Sequence, residues 1–248
     1  MLKIGIIGFG KVGGSLYDLL KEKKLNVNLF SETKKIGDLK ELIRDSEIVF
    51  ICVKDDLIGE RVKRIKELKE TYGKHFVHLS GATPLKVLDP IREKGNFIGK
   101  LHPIQTFPSR NKESFKNIYS TYCGSEETYK ILKDIFKNDF KIIKMRDEEQ
   151  TLIHVACVFS SNFPIYLISK AEEILKELNV SMEVLNPIIK ASYENVMKKG
   201  AKESLTGPAK RKDFLTIKRH KKILKSFKKD FYLIYNYLTK KIIDEGHL

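Results

Sequence analysis

The sequence predicts an α/β protein, a doubly wound and mostly parallel sheet followed by an all-helical C-terminal domain. Three observations carry this. A glycine-rich turn joins the first apolar strand to the first helix at the N-terminus. Short apolar segments then alternate with helical patterns to about residue 145. Beyond residue 147 strand signals stop and helical periodicity takes over. The expected domains are residues 1–147 and 148–248.

Residues 3–7 form an apolar run suited to a buried strand, and residues 8–14 the glycine-rich turn. Residues 15–24 put Leu16, Leu19 and Leu20 on one helical face. Residues 27–30 read as a second strand and 39–44 as a short helix. Residues 47–53 read as a third strand, apolar after Glu47 as a central parallel strand should be. Asp55 or Asp56 suits the cap of a helix running to about residue 71. Residues 75–79 are a fourth strand, Thr83-Pro84 a cap followed by proline at the first helical position, and 97–101 a fifth strand. A strand over 119–123, a helix capped by Ser125 and a strand over 140–145 complete the sheet. Helices are expected over 151–178, 182–199 and 213–243, with a kink at Pro164.

The 248 residues are 42% hydrophobic and 10% aromatic, enough for one large domain or two smaller ones. The net charge is +15 and the isoelectric point about 9.5. Such a chain meets anions: phosphorylated cofactors, carboxylate substrates, nucleic acid or anionic lipid. A thermostable, Lys- and Glu-rich surface would give the same balance, since charged residues make up 32%. Cys52, Cys123 and Cys157 are far apart and lack metal-ligand spacing, so reduced thiols and no metal are expected. The N-terminus has no signal-peptide pattern. The longest apolar run, residues 48–53, is too short to span a bilayer. A cytoplasmic chain without membrane contact is expected.

The strongest chemical signal is Gly8-Phe9-Gly10-Lys11-Val12-Gly13, placed between a strand and a helix. Gly8 allows a tight turn, Gly10 lets a pyrophosphate approach the backbone, and Gly13 lets helix and strand pack closely. The helix N-terminus then offers free N–H groups to phosphate. The second strand ends at Ser31, where NAD enzymes usually carry an acid. Ser31, Thr33 and Lys34 suit a 2′-phosphate, so NADP is expected, with NAD the alternative because Glu32 could serve as the ribose acid one position late. Val53 and Asp55 end the third strand, Ser80-Gly81 the fourth and His102-Pro103 the fifth; carboxyl ends of parallel strands converge on one crevice. Asp55 reads more simply as a cap than as a catalyst. His102 and Ser80 are candidates for proton transfer, the alternative for His102 being a buried imidazole bonded to backbone. His154 and Ser161, seven apart, share a helical face beside Asn162, which suits either a wet cleft or a satisfied polar interface. Thr206 and Arg211 could meet an anionic substrate, and Asp213 could cap the next helix. Between residues 198 and 241 fifteen Lys and Arg stand against Glu203, Asp213 and Asp230. Aromatic residues interleave them at helical spacing, which core packing explains more simply than base stacking, so nucleic-acid binding is not expected.

These motifs, with His78-x-Ser80-Gly81, His102-Pro103-x-x-x-Phe107, His154 with Asn162-Phe163, and Leu205-Thr-Gly-Pro208 with Arg211 and Asp213, occur in the order of a known family. The chain resembles the Rossmann-like NAD(P)-binding proteins with an uncharacterised helical C-terminal domain. That family is similar to pyrroline-5-carboxylate reductase, prephenate dehydrogenase, ketopantoate reductase and 6-phosphogluconate dehydrogenase. One departure is Lys212, where the family usually has glycine. The resemblance implies NAD(P)-dependent hydride transfer, a homodimer formed through the helical domain, and His102 as proton carrier oriented by Ser80. It makes ketopantoate the first substrate to test, within a class of small anionic keto or hydroxy acids. Catalytic roles are thus expected for His102, Ser80, Asn162 and His154, with Thr206 and Arg211 on the substrate. A non-catalytic NADP-binding regulator or redox sensor is the alternative, and nucleic-acid binding a distant third.

Overall fold

The computed structural model describes residues 2–245. Seven strands form one sheet in the order β2-β1-β3-β4-β5-β6-β7. They are β1 (Lys3–Ile7), β2 (Asn26–Phe30), β3 (Ile48–Ile51), β4 (His75–His78), β5 (Phe97–Pro103), β6 (Ile118–Gly124) and β7 (Phe140–Lys144). All pairings are parallel except β5 with β6. The expected class, a mostly parallel sheet followed by helices, is what the chain adopts.

The central strands are buried on both faces, and side-chain alternation divides the core in two. Ile48 and Phe50 of β3 join Ile4, Ile6, Leu16, Leu19 and Leu20 on one face. Val49 and Ile51 join Ile7, Leu42, Ile58, Val62 and Phe76 on the other. Helix α1 (Lys11–Glu22) covers the first face; α2 (Leu39–Asp45), α3 (Asp55–Lys66) and the short α4 (Asp89–Arg92) cover the second. Helix α5 (Glu126–Phe136) brings Leu132, Ile135 and Phe136 to the first core.

Several local expectations shift. Lys54 is the N-cap of α3, so Asp55 and Asp56 lie in its first turn, where they complement the helix dipole rather than cap it. Pro84, not Thr83, precedes a short 3₁₀ turn over Leu85–Leu88. Ser125 holds its cap position, but its hydroxyl bonds the backbone of Ile98 rather than the helix. The helix expected over 213–243 is two, α10 (Phe214–Phe227) and α11 (Lys229–Glu245), parted by an extended Lys228 (φ −146°, ψ 135°). Asp213 caps α10 through the Thr216 N–H, as its position suggests.

The chain divides into two compact units, residues 1–162 and 163–248. The expected division after residue 147 falls at the start of α6 (Asp147–Cys157), which stays with the sheet. The cause is a line of polar contacts. Lys100 Nζ on β5 meets Asp147 at 2.8 Å, the Leu85 N–H donates to Asp147, and Gln150 Nε2 donates to Thr121 Oγ1 at 3.0 Å. One wide π-helical turn, Val158–Asn162, follows α6. Pro164, where a kink is expected, lies two residues beyond; it lacks an N–H and crowds the carbonyl four residues back, which a wider turn relieves.

The second unit holds α7 (Phe163–Glu177), α8 (Asn186–Lys199), α9 (Ala201–Ser204), α10 and α11. Its buried residues include Ala209, Ile217, Phe231 and Thr239, while Ile165, Ile188, Met197 and Leu215 are well exposed. The helix Asp147–Glu177 is long and apolar enough, by length and composition, to cross a membrane. The run of residues 48–53 is therefore not the relevant measure of apolar length. The first turns of that helix are tied to the sheet by Asp147 and Gln150.

Candidate active site

The glycine turn leaves β1 with Gly8 at φ +103°, a conformation that favours glycine. A Cβ there would meet the Cys52 carbonyl oxygen at 2.5 Å, and one on Gly13 would run into the Gly8 carbonyl. Gly10 is different, because nothing lies within 4 Å of its Cβ position. The two outer glycines therefore pack the turn, and the middle one faces open space. Helix α1 starts at Lys11 with no side-chain cap and no acid in its first turn. An uncapped helix N-terminus beside an open glycine is the cradle a pyrophosphate needs, so these residues fit a dinucleotide.

A cavity of about 400 Å³ opens there, lined by Gly10, Lys11, Val12, Val53, Asp55 and Ser80 of the expected residues. Cys52, Lys54, Leu79 and Phe107 also line it. Phe9 has a different surrounding, edge-on to Tyr17 with the Arg110 guanidinium 4.3 Å from its ring centre. Ser31 and Thr33 stand at the end of β2 with their hydroxyls 3.3 Å apart, and Lys34 is exposed in the following turn. Glu32 is held by two arginines of α3. Arg61 grips it with both terminal nitrogens at 2.8 and 3.2 Å, and Arg64 adds a third bond. These hydrogen bonds, Arg61's first, hold the Glu32 carboxyl down at about 2. The carboxylate that could have served a ribose is thus already engaged.

A second cavity, of about 230 Å³, is lined by His102, Gln105, Thr106, His154, Cys157, Ser160, Ser161 and Asn162 among others. The wide turn at the end of α6 supplies Ser160, Ser161 and Asn162. The two imidazoles meet edge-on, ring centres 5.2 Å apart. Burial first, then His154 and Lys100, push the His102 imidazole down to about 4, against a backbone hydrogen bond to Leu79. His102 is therefore neutral near pH 7. Among the described residues its Nε2 has no partner, and neither has His154 Nδ1. Both converge beside Gly81, where a Cβ would lie 2.8 Å from His102 Nε2 and 2.5 Å from His154 Nδ1. Gly81 directly follows Ser80 of the first cavity, so one dipeptide joins the two.

Ser80 does not do what was expected of it. Its hydroxyl donates to Thr83 Oγ1 at 3.0 Å and accepts the N–H groups of Ala82 and Thr83, so it closes a turn instead of orienting His102. The imidazole beside His102 belongs to His154. Its position follows from two periodicities: Lys100 and His102 share a face of β5, while Asp147, Gln150 and His154 share a face of α6. The Lys100–Asp147 pair fastens one end of that contact; Lys100 is fully buried and Asp147 partly so. Below it, His78 is fully buried with neither ring nitrogen partnered among the described residues, and burial pushes it down to about 3.

Thr206 and Arg211 lie in the second unit, in the segment before α10, and their expected role rests on sequence. Lys212 has φ +56°. That explains the family's glycine here, since a side chain in the left-handed region costs energy that glycine does not. Sequence reasoning missed Arg61, Arg64, Lys100, Asp147 and Gln150 because each acts on a residue 29 to 50 positions away. An Arg-x-x-Arg pair on one helical face and a lysine inside an apolar strand were the available signals.

The family model described as Domain of unknown function (DUF2520) matches residues 118–242. No curated protein matches the sequence. A candidate NADP oxidoreductase of Bacteroides fragilis shares 25% identity over 98% of each chain, with a TM-score of 0.83. Plasmodium falciparum pyrroline carboxylate reductase, solved with NADP bound, shares 17% identity over 99% of this chain and 97% of that one, with a TM-score of 0.64. A reductive aminase of Aspergillus terreus, solved with NADPH and ethyl levulinate, shares 12% identity over 99% and 95%, with a TM-score of 0.73. The fold is that of the Rossmann NADP-binding oxidoreductases.

Proposed function

We propose that this chain, which belongs to the DUF2520 family, is an NADP(H)-dependent oxidoreductase acting on a small keto or hydroxy acid. The observation that carries the reading is the junction at Ser80-Gly81. An open glycine cradle fit for a dinucleotide adjoins a small cavity lined by His102 and His154, each with a buried ring nitrogen that has no partner among the described residues. NADP(H), when bound, supplies or takes the hydride. The chain's own work is to hold the dinucleotide through the α1 N-terminus and to manage the proton. With one ring nitrogen bonded to Leu79, neutral His102 keeps a lone pair on Nε2, in a ring that lines the cavity. That atom takes the proton of a substrate hydroxyl as carbon loses hydride; in reduction the imidazolium returns it. Asn162 and His154 orient the substrate oxygen. The names of the Plasmodium and Aspergillus proteins favour a second reading, a C=N acceptor, with the same assignments.

Thermal melting with NADPH, with NADH and with neither tests the cofactor. A ligand at a hundred times its Kd stabilises the folded state by about 2.7 kcal/mol. A shift with NADPH supports the reading; none with either dinucleotide sinks it. Turnover is then screened on ketopantoate, other 2-oxo acids and cyclic imines. His102→Asn should cut it by roughly 10²-fold or more while leaving NADPH affinity nearly unchanged. NADPH binding without turnover on any of them would favour the non-catalytic regulator instead.

We also propose a homodimer formed through the second unit. Its support is the exposed apolar surface of α7 and α8, including Ile165, Tyr166, Ile188 and Val196. Light scattering on the purified chain tests it, and a monomer at all concentrations overturns it.

A further inference from the structure

We propose that Arg61 and Arg64 form the subsite for the 2′-phosphate of NADP(H), and that Glu32, their present partner, is an internal anion which that phosphate displaces. The inference rests on the NADP(H) reading and deepens it.

The placement comes first. The Gly8 N–H donates to the Phe30 carbonyl at 2.8 Å, so the end of β2 abuts the glycine turn. In doubly wound sheets the adenosine ribose of a dinucleotide lies at that strand end. The Arg61 guanidinium sits 5.4 Å from the ring centre of Phe30, the last residue of β2. Its side chain is 8% exposed, and its Nε is buried without a partner among the described residues. Phe30 and burial therefore fix this cation beside the ribose position. Arg64, one helical turn on, and Glu32 are about half exposed, at 44% and 45%, so an incoming solute can reach both.

Charge decides between the two cofactors. Arg61 and Arg64 bring two positive charges against the one carboxylate they share, that of Glu32. A phosphate monoester brings a charge of about −1.5 to −2 and three acceptor oxygens, against −1 and two for Glu32. Guanidinium forks match phosphate as well as carboxylate, so exchanging Glu32 for phosphate keeps the hydrogen bonds and improves neutralisation. NAD offers only ribose hydroxyls there. It would need a carboxylate free to accept them, and both Glu32 oxygens already take guanidinium bonds. Ser31 and Thr33 remain beside the subsite as hydroxyl donors.

The test is calorimetric titration of NADPH, NADH, adenosine 2′,5′-bisphosphate and adenosine 5′-monophosphate into the wild-type chain, Arg64→Ala and Glu32→Gln. The substituted side chains are half exposed, so both variants should fold, and far-UV circular dichroism checks that they do. Arg64→Ala should weaken NADPH and the bisphosphate by about tenfold or more, the worth of a charged hydrogen bond, and leave NADH and the monophosphate within about twofold. Glu32→Gln removes the competing anion and should tighten NADPH and the bisphosphate without weakening NADH. Loss of NADH binding in Glu32→Gln would make Glu32 the ribose acid and overturn the proposal. So would NADPH binding indifferent to both substitutions, which leaves the parent reading standing. Failure of the wild-type chain to bind either dinucleotide removes both.

Discussion

Residues 2–162 wrap two apolar cores around one sheet, so that strands such as β3 are buried on both faces. Residues 163–245 put a comparable share of large apolar side chains on long helices and leave Ile165, Ile188, Phe214, Ile223 and Tyr237 well exposed. The first unit is stabilised by its own interior, and its chemistry sits on strand ends over that interior. The second has apolar surface to spare, which is what a helical unit built to bury itself against a second copy would show. In the proposed reading, a unit that holds cofactor and proton carrier is joined in sequence to one that associates with a second copy.

The sharpest way to test that contrast is to damage the interior of the first unit. Lys100→Ala leaves Asp147 without its buried partner and should cost about 3 to 5 kcal/mol in urea unfolding. Lys100→Met keeps the packing but also leaves Asp147 unpaired, so it should cost nearly as much. A Met variant as stable as the wild type would mean that the pair does not fasten α6. Association is the next lever. Ile165→Asp combined with Ile188→Asp should turn the proposed dimer into a monomer by light scattering. It should also lower Tm in a way that no longer depends on protein concentration. A dimer that survives would put the interface elsewhere.

Acid should act on the first unit. The ordinary histidine value is 6.5, and in the fold His102 lies near 4 and His78 near 3. Above pH 6.5 both forms of the chain leave these rings neutral and nothing is lost. Below it the unfolded chain takes up protons that the folded one refuses, so stability falls as pH drops from about 6.5 towards 4. Tm against pH should show this fall, and His102→Asn should flatten it. An unchanged slope would mean that His102 titrates normally. The smallest effect belongs to the second unit. Lys212→Gly relieves a left-handed backbone and should raise stability by up to about 1 kcal/mol in thermal unfolding.

Where a signal is local, the sequence was readable. The glycine turn, the seven strands and the position of His102 follow from neighbouring residues and from periodicities of two and 3.6. What escaped was long-range or unpunctuated. The break at Lys228 carries no Gly or Pro, so α10 and α11 read as one helix. The resemblance makes Ser80 orient His102, but a serine at a strand end can equally close its own turn, and Thr83 three residues on lets it. Glu32 looked free in sequence because the arginines that hold it come a whole βα unit later.

The wide turn at Val158–Asn162 has a consequence for how this chain can change. A π-helical turn holds one residue more than the regular helix, and each residue of an α-helix advances by about 100° around the axis. Deleting a single residue there would return Pro164 to a regular helix, where it lacks an N–H and crowds the carbonyl four residues back. It would also swing Asn162 out of register with His154. The same wide turn thus relieves the proline and brings Asn162 to the cavity. The irregularity works like a spliced-in tooth on a gear, setting which face comes round to the cavity.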